Sequence, residues 1–395
     1  MTGAITDSDL RGLNAKIAAS YDRMPYEPPA ISAIDPERVF GLAALHGDVT
    51  AGPDFDVLDL GCGTGSQLER VASQTTGRVV GTDLSRSACD QAAARTAKFG
   101  ARCSVACADF LDLEAASLGQ FDLIYHIGVL YVTPPEVQRR ILALIAACLK
   151  PNGVAVISHY FGGTALIMCG LHQMLKAVVD PNGTPEARVK TARARLQDVA
   201  GIIARQGNDR TSFLALLEQI QSRPDVIFFH EMLNESFAAI STSELEAGLG
   251  ARGVHFLNWL MIPAPPGAVA VPRERALAAD GLDLTGGGYH YAAFSKSDAS
   301  KPASVRGTNV HWHSRLKRVP ATPGGGAAFR DENFGLTVTP SPVTERALDV
   351  LAQGTCDWNS LFAGADKADV LEQELLMLWQ HGLLAPLFPF NPPRP

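Results

Sequence analysis

Asp56–Ser66 reads DVLDLGCGTGS, and Val79–Asp83, VVGTD, follows it after one short helical stretch. Val57, Leu58 and Leu60 make the apolar run of a buried strand, and Leu68, Val71 and Ala72 recur on one helical face behind the glycines. Between them Gly61, Gly63 and Gly65 let the backbone turn tightly and let a ligand approach without a Cβ in the way. The N–H groups freed at the start of the helix suit a carboxylate or a phosphate. Asp83 closes the second strand, where a carboxylate can accept both hydroxyls of a ribose. A lone glycine turn also makes plain loops. Here a strand on either side and an acid at the second strand end predict a nucleoside-containing ligand across the two. A dinucleotide fingerprint would place a third glycine at position 66, where Ser66 stands.

Downstream, the alternation continues. A helix over Ser87–Phe99 leads to a third strand, Arg102–Ala108, with Asp109 and Phe110 at its end. Cys103 and Cys107 share a face there and read as small core residues, not metal ligands. A fourth strand, Phe121–Ile127, is followed by Gly128 and by a helix opening at Pro134-Pro135. Pro151-Asn152-Gly153 then turns into a fifth strand, Val154–Tyr160. Strands alternating with helices through short links predict a parallel sheet flanked on both sides, with its ligand beyond the carboxyl ends of the strands. Ahead of this core lie a helix at Leu10–Ala19, Tyr21-Asp22-Arg23-Met24-Pro25-Tyr26, and a short helix from Pro36 to about Leu45. Tyr21 and Tyr26 are placed either to fold over a cofactor or simply to pack the N-terminal segment.

Residues 163–224 break the alternation with three helical stretches, Ala165–Val179, Pro185–Gln206 and Arg210–Gln221. In the middle one Val189, Ala192, Leu196, Val199 and Ile203 form a stripe, leaving Arg188, Arg193, Arg195 and Arg205 for a solvated face. The sheet pattern resumes with a capped helix at Ser241–Glu244, a strand at His255–Ile262, a Pro- and Gly-rich loop and a last strand at Tyr289–Phe294. The expected organisation is an N-terminal helical lid (1–48), a core (49–162), a helical cap insertion (163–224) and completion of the core (225–297). A linker-like stretch (298–340) and a helical, winged-helix-like module (341–395) follow. His311-Trp312-His313 lacks the further ligands of a metal site, and no metal is expected. Leu371, Leu375, Leu378 and Trp379 form one stripe in the last module, which reads as a protein-binding or homodimer-forming unit.

The 395 residues suffice for two or three domains, and no apolar run approaches a membrane span. A net charge of −7 and the absence of a basic recognition helix argue against a nucleic-acid partner. Seven cysteines without regular spacing fit reduced thiols, and the N-terminus lacks the layout of a signal peptide, so a cytoplasmic location is expected.

The run Asp59-Leu60-Gly61-Cys62-Gly63-Thr64-Gly65 resembles motif I of the class I S-adenosylmethionine (SAM) methyltransferases. Over most of its length the chain further resembles the bacterial group that carries a methyltransferase regulatory domain, which includes rickettsial protein-lysine methyltransferases acting on outer-membrane protein. The likeness rests on Tyr21-Asp22 and Pro25-Tyr26, on GTDLS, FDLI and GVLYVTPPEV, on LKPNGVAVIS, on RPDVIFFHEMLNESF (223–237) and on LLMLWQHGLL near the C-terminus. It implies a Rossmann-like α/β fold and SAM as cofactor. Asp83 would hold the ribose, Asp109 the adenine amino group, and Phe110 would flank the ring. Asp59, Gly61, Cys62, Gly63, Gly65, Leu84 and His126 complete the implied cofactor set, beneath Tyr21 and Tyr26.

A sulfonium already carries its leaving group, so the chemistry needs alignment with the nucleophile and exclusion of water rather than a catalytic dyad. Candidates to help an acceptor are His126, His159 and Tyr160, each of which can equally be structural; Tyr131, His230 and Glu231 stand on the expected substrate side. The chain departs from the group there. Ile127-Gly128-Val129-Leu130-Tyr131-Val132 replaces the usual His-Gly-Val-Tyr-Ser-Trp, and His159-Tyr160-Phe161-Gly162 replaces a Tyr-Asn-Thr-Tyr-Pro-Gly tendency. The expected activity is methyl transfer to a nitrogen of a peptide or protein side chain. The alternatives are a small-molecule O-, N- or C-methyltransferase and a SAM-binding regulator without turnover.

Overall fold

Strands β1 (Val57–Leu60), β2 (Val79–Asp83), β3 (Cys103–Cys107), β4 (Phe121–His126), β5 (Leu149–Tyr160), β6 (His255–Trp259) and β7 (Tyr289–Ser295) form one sheet in the order β3-β2-β1-β4-β5-β7-β6. β1 to β5 are parallel, and β7 runs antiparallel to both β5 and β6. The computed structural model describes residues 5–46, 51–160, 162–205, 211–260, 289–296, 310–320, 327–331, 337–380 and 383–389. Met261 and Ile262, the Pro- and Gly-rich loop up to 288 and part of the expected linker lie outside these residues.

The helices in chain order are α1 (Asp7–Arg23), α2 (Pro36–His46), α3 (Ser66–Ala72), α4 (Arg86–Thr96), α5 (Ala115–Leu118), α6 (Pro135–Cys148), α7 (Gly162–Val178), α8 (Pro185–Arg205), α9 (Thr211–Gln221), α10 (Asp225–Met232) and α11 (Thr242–Gly250). Successive residues of the central strands feed opposite cores. Val57, Leu123, Val154 and Val156 pack with α2 and α3, while Leu58, Ile124, Ala155 and Ile157 pack with α6 and α11. All four residues of β1 are buried, which explains why Val57, Leu58 and Leu60 show no alternation with exposed polar residues. The order reverses between β1, whose other neighbour is β2, and β4. A crevice opens at the carboxyl edge of such a switch point.

Three additions surround that edge. α1, capped by Thr6 and Asp9, crosses it and is latched by Asn14 Nδ2 to both Asp109 oxygens (2.8 and 3.0 Å), by Arg11 to Asp112 (2.8 Å) and by Ser85 Oγ to Asp22 (2.6 Å). Opposite it, α7, α8, α9 and α10 build a helical cap whose core takes in Tyr131, Val132 and Tyr160 from the sheet side. α10 packs against α7 and α8, so the cap extends to Met232 and the return to the sheet begins later than residue 225. Two arginines expected on a solvated face are structural. Arg188 is 5% exposed, donates to the Leu233 carbonyl at 3.1 Å and lies over the Phe229 ring. Arg193 donates to the Gln221 and Arg223 carbonyls and pairs with Asp225. Arg195 and Arg205 are exposed.

The stretch expected to be linker-like contains strands instead: β8 (His311–Ser314), β9 (Leu316–Val319), β10 (Ala328–Asp331) and β11 (Thr337–Val338). β9, β10 and β11 make a small antiparallel sheet; β8 pairs with β12 (Cys356–Asp357) and β13 (Leu384–Leu387). These strands are two to four residues long, too short to show a period, and each carries one or two anchors such as Trp312, Leu316 or Phe329. Helices at Pro342–Leu351, Trp358–Phe362 and Ala368–Gln380 complete the winged-helix-like part. Its stripe of Leu371, Leu375, Leu378 and Trp379 joins the core beneath α2, and the Phe388 N–H donates to the Glu37 carbonyl at 2.7 Å. Among the described residues no helix is long and apolar enough to cross a membrane.

Candidate active site

At the end of β1 the chain turns through Gly61, Gly63 and Gly65, with φ of +88°, +52° and +83°. A Cβ on Gly61 would meet Val129 Cγ2 at 2.4 Å, whereas one on Gly63 would meet nothing within 4 Å. The first glycine is demanded by packing; the second leaves its backbone open to the cleft. The Gly63 and Ser85 N–H groups donate to the two oxygens of Asp83, both at 2.9 Å, and so orient that carboxylate at the end of β2. Burial nonetheless raises the Asp83 carboxyl above its ordinary range.

Asp59, two residues before Gly61 in β1, is 3% exposed. Its carboxyl is pushed up to about 7, first by burial and then by the charge of Asp83, with no offsetting donor among the described residues. A buried acid left without a donor is a seat prepared for a ligand's positive or donating group. This is the observation by which the site fits SAM, whose amino-acid end carries an ammonium.

These residues open on one cleft of about 510 Å³. Asp59, Gly61, Cys62, Gly63, Asp83, Leu84, Asp109 and Phe110 line one half, at the ends of β1, β2 and β3. Tyr131, Tyr160, Arg223, His230, Glu231 and Tyr289 line the other, between the sheet and the cap. Tyr21 and Tyr26 lie along the same cleft. The Tyr21 ring stacks on His230 with centroids 4.0 Å apart and planes 5° from parallel, and His230 Nε2–H donates to the Met24 carbonyl at 2.6 Å. The histidine thus ties the N-terminal lid to the cap.

Gly65, His126 and His159 do not line the cleft. Gly65 faces Ala92 of α4, where a Cβ would come within 2.8 Å. His126 is fully buried, donates from Nδ1 to the Leu60 carbonyl at 2.7 Å and meets Phe110 edge-on; burial pushes it down to about 4. His159 is also fully buried, with Nδ1 on the Tyr160 carbonyl at 3.1 Å and Nε2 3.4 Å from Thr242 Oγ1; it too falls to about 4. Both expected catalytic histidines are core residues, because strand pleating turns them into the helical layers. Tyr160, by contrast, faces the cleft.

Sequence reasoning missed Arg223 and Tyr289. Tyr289 reaches the site because β7 is reversed, so its first residue lies beside Tyr160, the last of β5. The Tyr131, Tyr160 and Tyr289 rings meet edge to face at 4.9, 5.0 and 5.8 Å and form one wall. Tyr289 Oη lies 2.8 Å from Ser158 Oγ, which accepts the Gly128 N–H at 2.7 Å. Arg223 pairs with Glu231, each side chain 19% exposed. No group of three His, Cys, Asp or Glu side chains among the described residues is placed to hold a metal ion.

Residues 57–153 match the profile of the family described as methyltransferase domain. Two uncharacterized proteins of Rickettsia prowazekii (strain Madrid E) are similar. RP028 is 32% identical over 146 residues, which are 35% of this chain and 57% of that protein. RP789 is 25% identical over 248 residues, 55% of this chain and 42% of that protein. The chain thus spans about half the length of the curated relatives it matches. Among solved structures, PKMT2 from Rickettsia typhi in complex with AdoHcy superimposes with a TM-score of 0.73 at 19% identity, over 93% of this chain and 78% of that one. At that identity the likeness establishes the shared fold alone.

Proposed function

We propose, from the match of residues 57–153 to a methyltransferase-domain profile, that the chain transfers a methyl group from SAM to a nitrogen on a peptide or protein side chain. The observation that carries the cofactor reading is the buried Asp59, without a donor, beside the oriented Asp83 at one strand-end cleft. Asp59 would take the ammonium, Asp83 the ribose hydroxyls, and Asp109 with Phe110 the adenine. The structurally similar PKMT2 from Rickettsia typhi is in complex with AdoHcy, which supports SAM as the cofactor. When bound, SAM supplies an activated methyl group.

The chain's own residues would then align the acceptor and keep water out. The tyrosine wall and the Tyr21–His230 stack roof the acceptor half with aromatic surface. An amine acceptor must arrive with a free lone pair, and Glu231 is the carboxylate on this half of the cleft able to receive its proton. Nitrogen is favoured as acceptor because Glu231 gives this half a carboxylate, which suits a cationic or donating group. A second reading, a small-molecule acceptor, is favoured by the link between lid and cap, which makes the cleft a chamber rather than a groove.

Radiolabelled SAM offered with proteome and metabolite fractions, followed by mass spectrometry, separates the two. Label on polypeptide side-chain nitrogen is expected. Label confined to a small metabolite would establish the second reading, and no label on any fraction would count against both.

A further inference from the structure

α1 buries a stripe of Leu10, Asn14, Ile17 and Ser20, spaced three and four apart on one face. Two of the four are polar, so this face is not built for apolar packing alone. Asn14, at 4% exposure, lines the cleft beside Ile17 and Tyr21, and its amide is spent on one acid. Nδ2 donates to Asp109 Oδ2 at 2.8 Å and to Oδ1 at 3.0 Å, and the Leu111 N–H donates to the same Oδ1 at 2.9 Å. A carboxylate accepts about four hydrogen bonds, two on each oxygen. Oδ1 therefore has both positions filled, and Oδ2 keeps one. The same helix bears on the ribose acid by a second route. Asp22 accepts from Ser85 Oγ at 2.6 Å and from the Ser87 N–H at 3.3 Å, and the Ser85 N–H in turn donates to Asp83 at 2.9 Å. Arg11 with Asp112 is a looser tie, its side chains 46% and 57% exposed.

We propose that Asn14 is a positioning residue that makes the cleft select a 6-amino purine over a 6-oxo purine. It acts through Asp109. With Oδ1 saturated and the amide gripping both oxygens, the carboxylate is held against rotation and offers the cleft one acceptor position, on Oδ2. An exocyclic amine donates to that position. A 6-oxo group brings a second acceptor against it, and the two are left facing each other without a proton between them, which is the costly outcome in a site shielded from water. Without Asn14 the carboxylate can turn and take solvent as its partner, and the distinction between the two purines fades. Base selectivity is then set by a side chain 95 positions upstream of the acid it aligns.

That role rests on the SAM reading proposed above, and the measurement separates the two. Calorimetry on the full chain compares S-adenosylhomocysteine with S-inosylhomocysteine, its 6-oxo analogue, the weaker ligand being measured by competition. The wild type should prefer the adenine form by at least about a hundredfold. Asn14→Ala, a change the helix itself favours, should weaken S-adenosylhomocysteine by at least about tenfold and leave S-inosylhomocysteine within about threefold. Asn14→Asp keeps the shape but sets a second carboxylate against Asp109. One proton shared between the two supplies a donor, so S-inosylhomocysteine should bind this variant more tightly than the wild type at pH 6. Arg11→Ala, which loosens α1 without touching Asp109, should keep the wild-type preference. Equal affinity of the wild type for the two ligands, a preference unchanged in Asn14→Ala, or equal losses of both ligands there would reduce Asn14 to helix packing and overturn the proposal. Tighter S-adenosylhomocysteine binding in Asn14→Ala would overturn it too, by making the amide a competitor of the purine. Failure of S-adenosylhomocysteine to bind the wild type sinks the SAM reading and this role with it, a result visible before any variant is made.

Discussion

Acidification should weaken SAM binding, first through the buried Asp59, whose carboxyl is the one pushed furthest up. Its carboxyl titrates at about 7 in the free protein because burial, and secondarily the Asp83 charge, disfavour the ionised form. An ammonium needs the ionised form, so a proton competes with the ligand. The sign follows from the raised value: above about pH 7 the carboxylate is present and affinity is at its plateau, and below it affinity falls as the group protonates. With one competing proton the loss approaches about tenfold per pH unit, or about a hundredfold between the plateau and pH 5. The ligand's own ammonium and carboxylate keep their charges over roughly pH 5–7. Calorimetry between pH 7.5 and 5, repeated in two buffers of different ionisation heat, should show that slope and release of about half a proton per ligand near pH 7. Asp59→Asn should lower affinity at pH 7.5 by about ten- to a hundredfold, the loss of one charge-assisted hydrogen bond, and flatten the profile. A wild-type affinity that is level across the range, or an Asn variant that keeps the slope, would refute the reasoning.

Asp83→Ala removes the carboxylate proposed to hold the ribose and the acceptor of the Gly63 and Ser85 N–H groups; affinity for SAM should fall at least about a hundredfold, and unchanged affinity by calorimetry would withdraw the site. Gly61→Ala combines a φ of +88° with a Cβ 2.4 Å from Val129, so it should cost about 2–4 kcal/mol in chemical denaturation. Gly63→Ala, with open space around it, should cost about 1–2 kcal/mol while weakening SAM binding more than stability. Trp312→Ala should lose about 3–5 kcal/mol, because this fully buried ring joins the core shared by α2 and the C-terminal helices. A separate early unfolding transition of the C-terminal part, leaving the sheet intact, would contradict that shared core.

The strand, the glycine turn, α3 and the acid at the end of β2 were legible in the chain because each is a local matter. Apolar runs, helical spacing and positive-φ glycines act over a few residues, and a parallel sheet places every strand end on one edge. Hence most of the residues that line the strand-end half of the cleft, from Asp59 to Phe110, could be named from the sequence. The acceptor half could not. Whether His126 and His159 face a ligand depends on which helical layer covers each face of β4 and β5, and the layers bury both. Tyr289 joins the wall only because β7 enters the sheet reversed. Arg223 and Glu231 are eight positions apart on a link and a helix, and only the docking of the cap turns both toward Tyr160. The short strands between 311 and 338 gain their structure from Trp312, Leu316 and Phe329 entering a distant core, which a two- to four-residue pattern cannot announce. Local backbone preferences thus set the strand-end half of the cleft, whereas its cap-side half arises from burial between elements far apart in sequence, a quantity that exists only once the layers have packed.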